Sequence, residues 1–375
     1  MDKIKISAFQ LFSLAFLFEM GSAILVGLAG QAMQDAWISI LLGMVGGLLL
    51  FQIYYRLYSY YPDLLFTSYV QNIIGKWVGW VIGFLYVNYY MYLAARILRD
   101  FGELLTSTIY TQTPQFVIMS LMMLTIIYAV YKGLEVLARV GELLFFVVYI
   151  MAVVGGLLIV FTGLIHMENL KPILENGLAP VLKTTVSETI NFPFGEMIVF
   201  TMLLPCLSEP KKARSICMFA MVLSGINITI TSLIDITTLG VDLFIRSPFP
   251  LLSAIQRIQL LNFLERLDVL FMLYLTVGGF IKIGVFYYAA VAGTADLFKL
   301  KDQKKIIFPI GLLIIFAAGA IASNYSEDMK EGLVVVPIYL HWPFQIIIPG
   351  ILLIIAFVRN RKKLSSKKGN EMMTQ

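Results

Sequence analysis

Long apolar runs alternate with short polar breaks along the whole chain. The runs approach 20 residues, the length a helix needs to cross a hydrocarbon core about 30 Å thick. Runs and breaks together predict ten spans, near 8–29, 36–58, 78–104, 115–131, 141–163, 184–208, 214–241, 267–294, 305–323 and 337–358. The expected fold class is an all-α polytopic membrane protein. Residues 1–358 read as a single transmembrane domain with halves at about 1–165 and 184–358, and residues 359–375 as a basic, disordered tail able to touch anionic lipid head groups. Two connections opposite the termini are long. Residues 164–183, with Pro172 and Pro180, have room for a short surface helix. Residues 242–266 hold Ser247, Pro248, Phe249 and Pro250 and then an amphipathic stretch around Ile255 to Phe263; they read as a lid over an outer entrance or, equally, as an interfacial helix with no gating role.

Composition removes the soluble alternatives. Of 375 residues, 59% are hydrophobic and 14% charged, with mean hydropathy +0.85, against roughly 25% charged in a soluble protein. A water-soluble globule of this size has no place to hide that much apolar surface. Cys206 and Cys217 lack metal-ligand spacing and read as packing residues, and His166 and His341 are too few for a multi-histidine centre, so no metal or other cofactor is expected. The first apolar run continues into the spans without a small-residue cleavage site and does not read as a signal peptide. Nucleophile elbows and phosphate-binding glycine loops are missing as well, so the chain is not expected to be an enzyme. The net charge of +5 does not point to nucleic acid, because the basic residues follow loop parity. Parity places 19 Lys and Arg on the side of both termini and 8 on the other, with Lys282 inside a span completing the 28. That bias predicts cytoplasmic termini and fits an even span count.

Two spans lose their helical pattern in mid-membrane. In the first, Glu19, Met20, Gly21, Ser22 and Ala23 lie about eleven residues in, roughly 16 Å at a helical rise. In the sixth, Asn191, Phe192, Pro193, Phe194, Gly195 and Glu196 lie at a similar depth, where proline removes a backbone donor and glycine relaxes the backbone. Interrupted helices at matching positions of two five-helix halves point to an inverted-repeat transporter with its site at the midplane. Freed N–H groups there attract a carboxylate and freed carbonyls an ammonium or cation, which suits a zwitterionic amino acid or another small polar nutrient.

Three charges share that layer: Glu19, Glu196 and Lys282, with a formal sum of −1. A charge at the bilayer centre costs at least about 2.5–3.5 kcal/mol on insertion scales, so all three are expected to face the bundle interior. They leave room for a ligand ammonium, a cation or a proton; the plainer alternative is that Lys282 neutralises one glutamate and holds spans together. Glu103, Glu142, Asp235 and Asp296 lie near span ends and are expected at the interfaces. Span 3 offers Tyr86, Tyr89, Tyr90 and Tyr92, of which Tyr89 and Tyr92 share a face. Around Lys282, Thr276, Gly278, Gly279 and Tyr287 allow close helix packing or a polar path.

Five short strings carry a resemblance: Ile6-Ser7-x-x-Gln10-Leu11, Glu19-Met20-Gly21, Asp35-x-Trp37, Tyr61-Pro62 and, most specific, Phe192-Pro193-Phe194-Gly195-Glu196. Together the chain resembles the endospore germination permease family, the B subunits of spore nutrient germinant receptors, over nearly its whole length. The resemblance implies a permease-like domain with the 5+5 inverted repeat of LeuT and the amino acid–polyamine–organocation transporters, with discontinuous spans 1 and 6. It also implies a nutrient sensor in the spore inner membrane, an ion-conducting A subunit and a lipoprotein C subunit as partners, and no cofactor. The ligand site it implies is Gly21 and Ser22 in span 1 with Phe194, Gly195 and Glu196 in span 6; Tyr89 and Tyr92 in span 3 and Ile283 and Tyr287 in span 8 are added as contacts that no motif anchors. A secondary amino acid transporter coupled to protons or cations is the competing reading, and an interaction subunit with a vestigial pocket is a third.

Overall fold

The first helix, α1 (Ala8–Ala23), begins with a reciprocal cap: the Gln10 N–H donates to Ser7 Oγ at 3.2 Å, and the Ser7 N–H donates to Gln10 Oε1 at 3.0 Å. Two of the donors that every helix start leaves over are thereby satisfied. Just before the cap, Ile6 forms an isolated parallel bridge to Leu207, its N–H donating to Cys206 O at 2.9 Å while Ser208 N–H donates to Ile6 O at 3.0 Å. The chain's entry is thus tied to the end of the sixth span. Every residue from Leu11 to Ala23 is buried, as expected of a helix that is apolar all round.

The computed structural model describes residues 5–257, 267–322 and 324–373, and the elements among them are helical. After α1 come α2 (Ala36–Tyr60), α3 (Phe66–Ile74), α4 (Lys76–Thr108), α5 (Gln115–Lys132), α6 (Leu134–Phe161) and α7 (Leu178–Thr184). The second half holds α8 (Ala213–Leu239), α9 (Val241–Arg246), α10 (Pro250–Ile255), α11 (Leu267–Leu297), α12 (Lys304–Ala320), α13 (Tyr325–Lys330) and α14 (Ile348–Met373). Helix α1 is central, packed against α6, α8 and α11, while α4 lies along α11. Among the described residues, seven helical segments are long and apolar enough to cross a membrane. Three expected spans fall short of that measure: α1 has 16 residues, α12 has 17, and the sixth is broken into short pieces. The protein is a membrane protein of several apolar helices.

The two breaks differ from one another. In the sixth span, α7 passes through a π turn at Thr185–Thr189, leaves helical geometry around Asn191, and resumes as a 3-10 helix at Phe194–Met202, with Pro193 at the junction. The first span breaks later than the sequence suggests. Helix α1 runs unbroken through Glu19, Gly21 and Ser22, and the unwound stretch is Ile24–Ala29, with Ala29 in the left-handed region. Gly21 serves a crossing instead of a bend: a Cβ there would lie 3.0 Å from Gly278 O and from the Lys282 side chain, and one on Gly278 would lie 3.0 Å from Gly21 Cα. Small residues let α1 and α11 touch backbone to backbone, as they do in membrane helix pairs generally. A glycine face on α2 does the same for the broken span, since side chains at Gly43, Gly46 and Gly47 would overlap Thr189, Ile190 and Phe194.

Other expectations also shift. Helix α14 carries the backbone on to Met373, in place of an irregular tail. The connection 164–183 supplies a 3-10 turn, Met167–Leu170, and the start of α7. In the connection 242–266, α9 and α10 pack beside α8, and the amphipathic stretch to Phe263 lies outside the described residues from 258 onward. Cys206 and Cys217 are free thiols. Asp235, expected at an interface, is buried within α8.

The backbone contact of α1 with α11 makes a specific prediction. Gly278→Leu is expected to destabilise the purified protein by at least about 1–3 kcal/mol, the usual cost of overpacking, whereas Gly156→Leu, with nothing within 4 Å of the new Cβ, leaves the thermal midpoint in detergent unchanged.

Candidate ligand site

Lys282 of α11 reaches across to the broken sixth span and pairs with Glu196, Nζ to Oε2 at 2.6 Å, both side chains being buried. Its ammonium lies 5.0 Å from the Phe18 ring centroid and 4.7 Å from that of Phe192, so two aromatic faces take the place of lost hydration. Each residue of the span-6 string then has a position with a physical reason. Phe192 faces the ammonium, Pro193 precedes the resumed 3-10 helix, Phe194 packs on Gly47, and Gly195 sits where a Cβ would overlap the side-chain oxygen of Gln345. Glu196 supplies the counter-charge. Glu19 is fully buried in the same layer, and neither of its carboxylate oxygens has a hydrogen-bond partner among the described residues.

A small cavity lies beside this pair. Ser22 and Val26 from span 1, Phe192 and Glu196 from span 6, Arg96 and Asp100 from α4, and His341 line about 40 Å³ of room for solvent centres, enough for a few waters. Both signs of charge therefore meet in one space. Arg96 Nη1 and Asp100 Oδ1 are buried there without hydrogen-bond partners among the described residues.

The roof of the cavity is α13 with the π turn Glu331–Val335, held down on α4. Arg96 Nη2 lies 3.1 Å from Asp328 Oδ1 and donates to Asp328 O at 2.7 Å, and Arg99 Nε lies 3.6 Å from Asp328 Oδ2. Tyr92 donates to Glu331 at 2.9 Å. Met329 and Leu333 border both this cavity and a larger one of about 390 Å³ beyond it, which Gly27, Glu188, Arg246 and Lys330 also line. Two apolar side chains stand between the vestibule and the inner space. Loop parity counts Arg96 and Arg99 as loop charges; both are instead buried and ion-paired within the bundle, and setting them aside makes the charge bias steeper.

The expected site residues divide clearly. Ser22 and Glu196 line the cavity. Tyr89 is one layer behind: its hydroxyl meets His341 Nδ1 at 2.6 Å and accepts from Gln345 Nε2 at 2.8 Å, with its ring stacked 4.7 Å from Phe344. Tyr92 belongs to the roof. Gly21 lies at the α1–α11 crossing, and Phe194 and Gly195 pack against α2 and span 10. Ile283 is buried on α11, and Tyr287 points away, donating to Ile307 O in α12. The π-helical stretch Pro337–Ile347 contributes one cavity residue that the expected site lacks, His341, with Gln345 behind it beside Tyr89. The available signal is two polar side chains four residues apart in the middle of an apolar run.

The fold defines a class. Mhp1, a nucleobase-cation-symport-1 family transporter solved in a closed conformation with bromovinylhydantoin bound, superposes with TM-score 0.71 at 12% identity, covering 94% of this chain and 78% of its own. MhsT, solved in complex with L-phenylalanine, superposes with TM-score 0.62 at 13% identity, covering 96% and 99%. This is the transporter architecture built around two interrupted helices. Within it, a family model for spore germination protein matches residues 5–326. Spore germination protein KB of Bacillus subtilis (strain 168) is 45% identical over 371 residues, 99% of each chain, and Spore germination protein YndE of the same organism is 26% identical over 300 residues, 80% of this chain and 81% of its own. The chain belongs to the spore germination permease family, a membrane permease-type protein and not an enzyme.

The ion pair can be tested for mutual dependence. Lys282→Met or Glu196→Gln alone is expected to cost about 3–5 kcal/mol, because each strands one buried charge, while the double substitution recovers most of the loss. A double-mutant cycle on thermal unfolding measures this, and additive losses would show that the two groups do not depend on each other.

Proposed function

We propose that this protein is the nutrient-sensing membrane subunit of a spore germination receptor. In this reading ten spans cross the spore inner membrane with both termini in the cytoplasm, and the vestibule faces outward. A small zwitterionic nutrient such as an amino acid passes Met329 and Leu333 and sits in the inner cavity. Its carboxylate meets the free Nη1 of Arg96, and its ammonium meets Asp100 or Glu196. The observation that carries the reading is that residues from both interrupted spans line one small cavity containing both signs of charge. Ligand that binds one arrangement of the roof better than another shifts the population toward it. An A subunit and a lipoprotein C subunit then read out that shift, in keeping with the germination proteins among the relatives.

A secondary transporter for amino acids is the second reading, favoured by the cation-symport description of one structural neighbour and by the buried carboxylate of Glu19. Proteoliposomes holding this chain alone separate the two: the receptor reading expects no accumulation of labelled nutrient, the transporter reading a gradient-driven one.

In spores, Ser22→Leu places bulk in the cavity and is expected to raise the nutrient concentration for half-maximal germination by roughly five- to 150-fold, the scale of a steric cost of about 1–3 kcal/mol. Receptor abundance, checked by immunoblot, stays constant. An unchanged dose response in assembled receptors would move the ligand elsewhere.

A further inference from the structure

A groove of about 540 Å³, larger than the inner cavity and the vestibule, runs between α5 and α11 beneath the α4–α5 connection. Both helices are long and apolar enough to cross a membrane. One wall is Ile118, Leu121, Met122 and Thr125 of α5, and the other is Thr276 and Phe280 of α11. Leu121 is 61% exposed, so the groove opens sideways toward the bilayer and not into the bundle. At the end away from the chain termini, Tyr110 and Thr113 form its rim.

The lining is apolar in function as well as in composition. None of the residues that line the groove is charged. Its two inner hydroxyls are satisfied by their own helices, Thr125 Oγ1 donating to Leu121 O at 3.0 Å and Thr276 Oγ1 to Met272 O at 2.7 Å. With those donors taken, the wall has no hydrogen to offer an occupant. The rim differs, because Tyr110, 51% exposed, and Thr113 bring two hydroxyl groups to it.

Depth and width narrow the choice of occupant. From Gln115, where α5 starts, to Thr125 the helix descends about 15 Å, half of a hydrocarbon core about 30 Å thick. The groove thus spans one leaflet. Its volume of about 540 Å³ over that depth gives a mean width of roughly 6 Å, too narrow for a helix about 10–12 Å across. A single hydrocarbon chain has the right length and width.

We infer that this groove binds one acyl chain of a membrane glycerolipid, its ester end at Tyr110 and Thr113 and its methylenes against Met122, Thr276 and Phe280. The rim hydroxyls donate to ester oxygens, and the uncharged lining leaves the head group unselected. The stretch of α11 behind the groove is the one that leads into Lys282. Gly278 touches α1 at Gly21, and a Cβ on Gly279 would overlap the Phe101 ring of α4, so this stretch has protein on two sides and the groove on a third. The bound chain fills the third side and supports the placement of Lys282 opposite Glu196. This site is separate from the nutrient cavity, and its existence does not depend on the receptor reading.

The test uses the full chain in phosphatidylcholine nanodiscs doped with a phosphatidylcholine that carries a photoactivatable diazirine halfway down one chain. After illumination and digestion, adducts on 118–125 and 276–280 are expected at about fivefold or more the density found on 143–150 of α6, where Leu143, Phe146 and Ile150 are exposed to lipid. Met122→Trp fills the groove and is expected to lower the adducts on 276–280 by at least about fivefold. Thr125→Phe does the same with a smaller ring and guards against a folding failure of the first variant. Leu143→Trp on α6 leaves them unchanged. A lipid with the diazirine on its head group is expected to label Tyr110 and to spare Phe280. Groove labelling no denser than that of α6, or undiminished in both filled variants, overturns the proposal. So does equal labelling of Phe280 by the two probes, which would place a head group where the chain is assigned.

Discussion

Lys282 and Glu196 form a buried charge pair that the centre of the bundle is arranged to hold. A lysine in the middle of a span has no water to solvate it, so it must find an anion and soft polar surface inside the protein. The anion comes from the resumed half of span 6, and the aromatic faces come from Phe18 on α1 and Phe192 at the break. For the ammonium to arrive there, α11 must lie against α1 at backbone contact, which Gly21 and Gly278 permit. The two interrupted spans and α11, the most buried of the long apolar helices, are thus joined through one side chain.

That arrangement explains why the candidate site sits where it does. Breaking a helix in hydrocarbon exposes backbone groups that must be satisfied by protein or by a lined cavity. Around the sixth span they are met by Tyr54, which donates to Gly195 O at 3.2 Å and to Gln345 O at 2.7 Å. Around the first span Glu188 caps one donor, and two small spaces adjoin the unwound stretch, one lined by both signs of charge and one lined mainly by apolar side chains with the Asp235 carboxylate among them. Asp328, paired with Arg96 and Arg99, precedes Met329, which with Leu333 borders both the larger of these and the vestibule.

Much of this is legible in the residues. The apolar runs mark the helices, Pro193 marks the break, and the scarcity of charge makes Glu19, Glu196 and Lys282 conspicuous. Ser7 and Gln10 have the spacing of a reciprocal cap on their own. Position along the chain is a poorer guide to Arg96, Arg99 and Asp235, which near-end locations assign to loops or interfaces. Arg96 and Arg99 are buried because Asp328 comes from a helix more than two hundred residues later to neutralise them. Asp235 is buried because the unwound stretch of span 1 folds over it. No local pattern carries that information.

The sequence by itself determined that the chain lives in a bilayer, where it bends in span 6, and which charges must be internal, because each follows from the cost of placing a given side chain or proline in hydrocarbon. Only the tertiary structure decided which glycines pack and which helices yield. Gly21 reads as a hinge in isolation and becomes a contact once Gly278 lies against it, and the bend passes on to Ile24–Ala29. Whether a small residue bends a helix or lets another approach depends on the neighbour, and the neighbour is set by the fold.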